Sequence, residues 1–145
     1  MKKVILSLII CTVFICDDSL FPNQDSSIWY VEVVEKSSDT VGRRLVYHVK
    51  ESIRNSSAMQ LTAMNVPRVR IRINTMPKYD DNPNIATMYS VIWLFDAPEL
   101  SLPYYISSTL GYCGTDVVVE SAEDVVANTD ALLSSINKMA NDEYR

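Results

Sequence analysis

Two apolar runs set the strongest constraint on this chain: residues 86–95 (ATMYSVIWLF) and residues 104–112 (YYISSTLGY), joined by residues 96–103 (DAPELSLP). Both are rich in aromatic and β-branched side chains and are bounded by Pro83, Pro98 and Pro103, so they read as the strands of a long hairpin at the centre of a sheet. The second run alternates, with Tyr104, Ile106, Leu110 and Tyr112 on one face and Tyr105, Ser107, Thr109 and Gly111 on the other. The first run does not. One of its faces carries Tyr89, Val91, Trp93 and Phe95 and the other Met88, Ile92 and Leu94, so either orientation turns large apolar side chains away from the core.

The remaining elements fit around this hairpin. Residues 28–34 (IWYVEVV) form a first strand with Trp29, Val31 and Val33 on one face. Ser37, Ser38 and Asp39 are helix-cap candidates. Val41, Leu45, Val46, Val49 and Ile53 then make the stripe of an amphipathic helix running to Arg54. A short strand is expected over 59–64, with a turn at Asn65, Val66 and Pro67. Residues 68–75 (RVRIRINT) alternate without a fault, Val69, Ile71 and Ile73 inward and Arg68, Arg70, Arg72 and Asn74 outward, which is the pattern of a sheet with one wet face. Residues 76–85 read as a loop. After Gly114 a helix capped at Asp116 or Ser121 carries Val118, Ala122, Val125, Val126, Thr129, Leu132, Leu133, Ile136 and Met139 at helical spacing.

The order β-α-β-β-β-β-α gives an α+β two-layer sandwich, a mostly antiparallel five-stranded sheet with both helices on one face. Its order is similar to that of small periplasmic accessory modules such as the amino-terminal domain of the Tol-system propeller protein, over about residues 28–141. That resemblance implies a role in the cell envelope.

The amino terminus points the same way. Lys2 and Lys3 precede an unbroken apolar run, residues 4–16, followed by Asp17 and Asp18, the outline of a secretory leader. Thirteen residues fall short of the roughly 20 that span a bilayer. Residues 1–19 are therefore a signal peptide or lipid-anchor leader, 20–27 a flexible lead-in and 28–145 one domain. Cys16, closing the apolar run, is the candidate for lipidation, although Ile15 stands where a lipoprotein signal has a small residue. Loss of Cys11 and Cys16 with the leader leaves Cys113 alone, so no internal disulfide supports the fold.

Chemistry-bearing constellations are few. Cys113, in a turn before a helix, and His48, the sole histidine, are the components of a thiol-hydrolase dyad. His48, however, precedes the cysteine and borders an apolar helix stripe, which is the position of a packing residue. One histidine and one mature cysteine supply no metal set, and Asp80-Asp81-Asn82 lacks the ligand spacing of a calcium loop. Three glycines in the whole chain supply no phosphate cradle. A net charge of −5 argues against a broad nucleic-acid surface.

The most specific polar feature is the arginine ladder. Arg68, Arg70 and Arg72 project from one strand face about 7 Å apart, placed either to grip carboxylate or phosphate groups or to pair with Glu32 and Glu35 across the sheet. With Tyr89, Trp93 and Tyr105 they form the expected binding set. The resulting expectation is a periplasmic or secreted, non-enzymatic accessory domain without a cofactor. Its partner is a protein or a second copy, and it meets a membrane only through its leader or a lipid anchor. An inhibitor or immunity protein against a secreted toxin is one alternative, and a thiol hydrolase using Cys113 and His48 is the other.

Overall fold

The computed structural model describes residues 28–143. The expected leader, the expected lead-in and Cys16 lie outside the described residues. Seven elements follow one another: β1 Trp29–Ser37, α1 Thr40–Arg54, β2 Met59–Leu61, β3 Arg68–Pro77, β4 Ala86–Asp96, β5 Tyr104–Gly114 and α2 Val118–Glu143. The sheet order is β2-β1-β3-β4-β5. Strand β1 runs parallel to both β2 and β3, while the longer β3–β4 and β4–β5 ladders are antiparallel.

Alternation decides the layers. Trp29 and Val31 of β1, Val69, Ile71 and Ile73 of β3 and Val91 and Trp93 of β4 all point to one side. There they meet Val41, Leu45, Val46, Val49 and Ile53 of α1 and Val118, Ala122, Val125 and Leu133 of α2 in one buried core. Both helices therefore cover the same face. The other face has no cover from the described residues.

Asp39 begins α1 as its N-cap, with Oδ1 accepting from the Gly42 amide at 2.7 Å. Its Oδ2 accepts from the hydroxyls of Thr75 at 3.1 Å and Thr87 at 2.9 Å, which ties the helix to β3 and β4. Gly42 permits this approach, since a Cβ there would fall 2.0 Å from Thr75 Oγ1.

Several element boundaries differ from the sequence expectation. Strand β2 stops at Leu61, where 59–64 was expected, because the chain leaves one side of β1 and reaches the other by Arg68. Strand β3 continues to Pro77 instead of ending at Thr75, as Met76 and Pro77 pair with Met88 and Thr87. Strand β5 extends to Gly114, and α2 begins at Val118. The even alternation expected along β5 is broken: Trp93 pairs with Ser107 but Leu94 with Tyr105, so Ile106 is an extra residue. That bulge moves Tyr105 to the open face and turns Ile106 toward the core.

Candidate functional site

The open face consists of the even-numbered residues of β3 and β4 with their neighbours on β1 and β5, and it divides into two ends. At one end Arg68 Nε donates to Glu32 Oε2 at 2.7 Å and its Nη2 lies 2.8 Å from Asp96 Oδ2. Arg70 repeats both contacts, at 2.8 Å each. Arg68 Nη1 also donates to the carbonyls of Met64 and Val66 at 3.1 Å, and its side chain is only 9% exposed. Burial pushes the Glu32 carboxyl up, but hydrogen bonds and positive charge from Arg70 and Arg68 outweigh it and hold the pKa below the ordinary value. Two members of the arginine ladder are thus engaged within the molecule. Arg72 differs, being exposed and without an ion pair to any described residue.

At the other end lies a shallow groove of about 600 Å³ whose walls include Met76, Met88, Leu110 and Tyr112, with Asn74 and Ser90 between them. Register explains the shape. Met76, Met88 and Tyr112 form one row across β3, β4 and β5, and Asn74, Ser90 and Leu110 form the next, so a row with two small polar side chains borders a row of long ones. Lys78 Nζ sits 3.9 Å from the centre of the Tyr112 ring. Met76, Leu110 and Tyr112 are 56%, 83% and 68% exposed.

Residues 76–85 read as a loop in the sequence, so this end is absent from the expected binding set, whereas Met76 belongs to β3. The signal was present, since Met76 continues the outward series of Arg68, Arg70, Arg72 and Asn74 by one more step.

The aromatic members of the expected set separate. Tyr105 is exposed on the open face and lies 2.9 Å from the Ser108 hydroxyl. Trp93 does not reach that face: it is 2% exposed, under α2, and its indole N–H donates to Thr129 Oγ1 at 2.8 Å. Tyr89 also points toward the helices, half-buried beneath Gly111, where a Cβ would fall 2.6 Å from the phenol oxygen. Parity is the physical reason, because residues paired with Ile71 and Thr75 must share the core face of β3. Both residues belong to the helix-covered side of the sheet.

Cys113 is fully buried on the core face. Burial raises its thiol pKa, and the nearby Asp39 charge adds to this against a hydrogen bond from Ser121, so the sulfur is held as the thiol. No hydrogen bond among the described residues joins it to His48, whose ring packs edge-on against Tyr47 at 5.3 Å. No group of metal-ligating side chains occurs among the described residues, nor any helix long and apolar enough to cross a membrane.

No family model matches the chain, and no curated protein matches it. Among solved structures it is similar to a hypothetical protein of Chlamydia trachomatis, with a TM-score of 0.53 and 7% identity over 74% of this chain and 99% of the other. That likeness shows a shared fold. A minor lipoprotein of Acinetobacter baumannii aligns over 70% of this chain and 92% of its own, with 10% identity and a TM-score of 0.39. The rare lipoprotein B of Shewanella oneidensis aligns over 79% of this chain and 99% of its own, with 17% identity and a TM-score of 0.33. These two superpose too loosely to bear on function.

Proposed function

We propose that the chain is an exported, envelope-associated accessory domain that binds a protein partner, without catalysis, through the open face of its sheet. The observation that carries this reading is the groove end of that face, where Met76, Leu110 and Tyr112 stand in solvent beside the half-exposed Met88. Contiguous apolar surface bordered by cationic groups, here Lys78 in the groove and Arg72 one step beyond Asn74 on β3, is the make-up of a contact patch. A complementary partner presents an apolar ridge flanked by carboxylates. The apolar run of residues 4–16 behind Lys2 and Lys3 supports export, and the resemblance of the element order to that of Tol-type accessory modules supports the envelope as the setting.

The test is hydrogen exchange on the protein as the cell processes it, with and without host envelope extract. Partner-dependent protection is expected at residues 74–76 and 88–92 and should vanish in Met88→Asp. Unchanged exchange in both segments, in every fraction of the extract, would sink the reading.

A further inference from the structure

Strand β5 is one edge of the sheet, and apart from the bulge at Ile106 nothing about it discourages pairing. Its eleven residues contain no charge and no proline, the devices by which natural edges avoid other strands. The opposite edge, β2, is kept to three residues. The bulge at Ile106 interrupts β5 only near its start, leaving a regular stretch from Ser107 onward. No backbone hydrogen bond from any other described segment reaches its free side.

The helix above this edge adds a second pattern. Because α2 starts four residues after β5 ends, it runs back along the strand. At about 1.5 Å per helical residue and about 3.3 Å per strand residue, Ala131 and Ser108 both lie about 20 Å from that corner. They do meet there: Ser107, Ser108, Asn128, Ala131, Leu132 and Ser135 line one cleft of about 260 Å³. Asp124, Asn128, Ala131, Ser135 and Lys138 follow the spacing of a single helical stripe, and all are exposed. Asp124 lies toward the Gly111 end, since its charge helps raise the pKa of Tyr89, the residue paired with Gly111. Lys138 lies toward the other end.

We propose that β5 is the seam of a two-fold dimer, in which it pairs antiparallel with β5 of a second copy to make one continuous ten-stranded sheet. An axis perpendicular to the sheet near Ser108 passes close to Ala131, so a single rotation serves both layers; the regular pairing is centred on residues 107–109, and each Ile106 bulge faces the partner's Leu110. It sets Asp124 opposite the partner's Lys138 and Lys138 opposite the partner's Asp124, since the two are equally spaced about Ala131. The stripe is self-complementary in charge, which is what a two-fold contact demands. Its centre is small and uncharged, suited to two helices about 10 Å apart, a separation of two strand spacings. On the open face, Leu110 and Tyr112 come to lie beside the start of the copy's β5, and the two apolar grooves lie on opposite sides of the axis.

Charge exchange across the seam tests this on the protein as the cell processes it, by sedimentation equilibrium over a concentration series. The unaltered protein is expected to dimerise. D124K and K138D each place like charges opposite each other at both symmetric contacts, so each alone should weaken dimerisation about tenfold. Mixed one to one, the two variants restore opposite charges at both contacts and should recover the original affinity as a heterodimer. A protein that stays monomeric at millimolar concentration, a dimer indifferent to both substitutions, or a mixture no tighter than its components would each overturn the proposal. None of these residues lies on the open face, so the outcome is independent of partner binding there.

Discussion

The two ends of the open face share β3 and β4, with β1 completing one and β5 the other, and they differ in how their side chains are satisfied. At the charged end, Arg68 and Arg70 are each shared between Glu32 and Asp96, a closed set of two cations and two anions. At the groove end, Met76, Leu110 and Tyr112 stand in solvent, with a lysine on the tyrosine ring. The end that carries the conspicuous sequence pattern is the one that is internally complete. The end with no pattern beyond alternation is left open. A row of cations on a strand is thus weak grounds for a ligand site until the acids on neighbouring strands have been placed.

The largest expected effect lies at the closed end. Arg68→Ala removes ion pairs to Glu32 and Asp96 and leaves the Met64 and Val66 carbonyls without their side-chain donor. Arg70 still compensates both acids, so the cost should be about 3 kcal/mol rather than the upper end for a broken buried pair. A domain of this size should then lose about 10 °C in Tm. If instead Tm were unchanged, the cluster would be an ordinary exposed ion-pair surface and the contrast between the two ends would collapse.

A smaller effect belongs to the same end and appears as pH dependence. The folded-state pKa of Glu32 is below its ordinary value of 4.5, so its contribution to stability is fully present above that value. The contribution is lost as pH falls through the depressed folded pKa. Glu32→Gln should cost about 1 kcal/mol at pH 7 and progressively less as pH falls through the depressed folded pKa, reducing the acid slope of stability measured in urea at a series of pH values. A variant whose acid slope matched the original would show that Glu32 is not held in its charged form by the arginines.

Much of this arrangement was legible in the sequence, for a physical reason that also sets its limit. The alternation of residues 68–75 gave the correct faces for β3, and the stripe of α1 gave its buried side, because burial on one side leaves a period that one chain segment displays alone. Asp39 was among the cap candidates for the same local reason. Pairing between segments leaves no such trace. Nothing in the sequence told which parity of β4 faces the helices, so Tyr89 and Trp93 entered the binding set although they pack against the core side. The bulge that turns Tyr105 outward is a property of the β4–β5 register, not of either strand. Whether Glu32 and Asp96 meet the arginines likewise depended on β1 and β4 flanking β3, a matter of strand order.

The smallest expected effect is at the groove end, and its smallness is the informative part. Met76→Ser and Leu110→Ser replace side chains that are 56% and 83% exposed, so little apolar area returns to water when they are cut back. Each should change stability by less than about 0.5 kcal/mol, the range of surface substitutions away from special features. A core side chain of similar size responds differently, because truncation there also opens a cavity. Near-neutrality for folding means that these residues are dispensable to the domain as it stands alone, and their apolar character then calls for a contact outside it. A loss well above 1 kcal/mol in equilibrium urea unfolding, at a protein concentration low enough to keep the chain monomeric, would mean instead that the groove packs against something within the chain, and the two ends of the face would be equally closed.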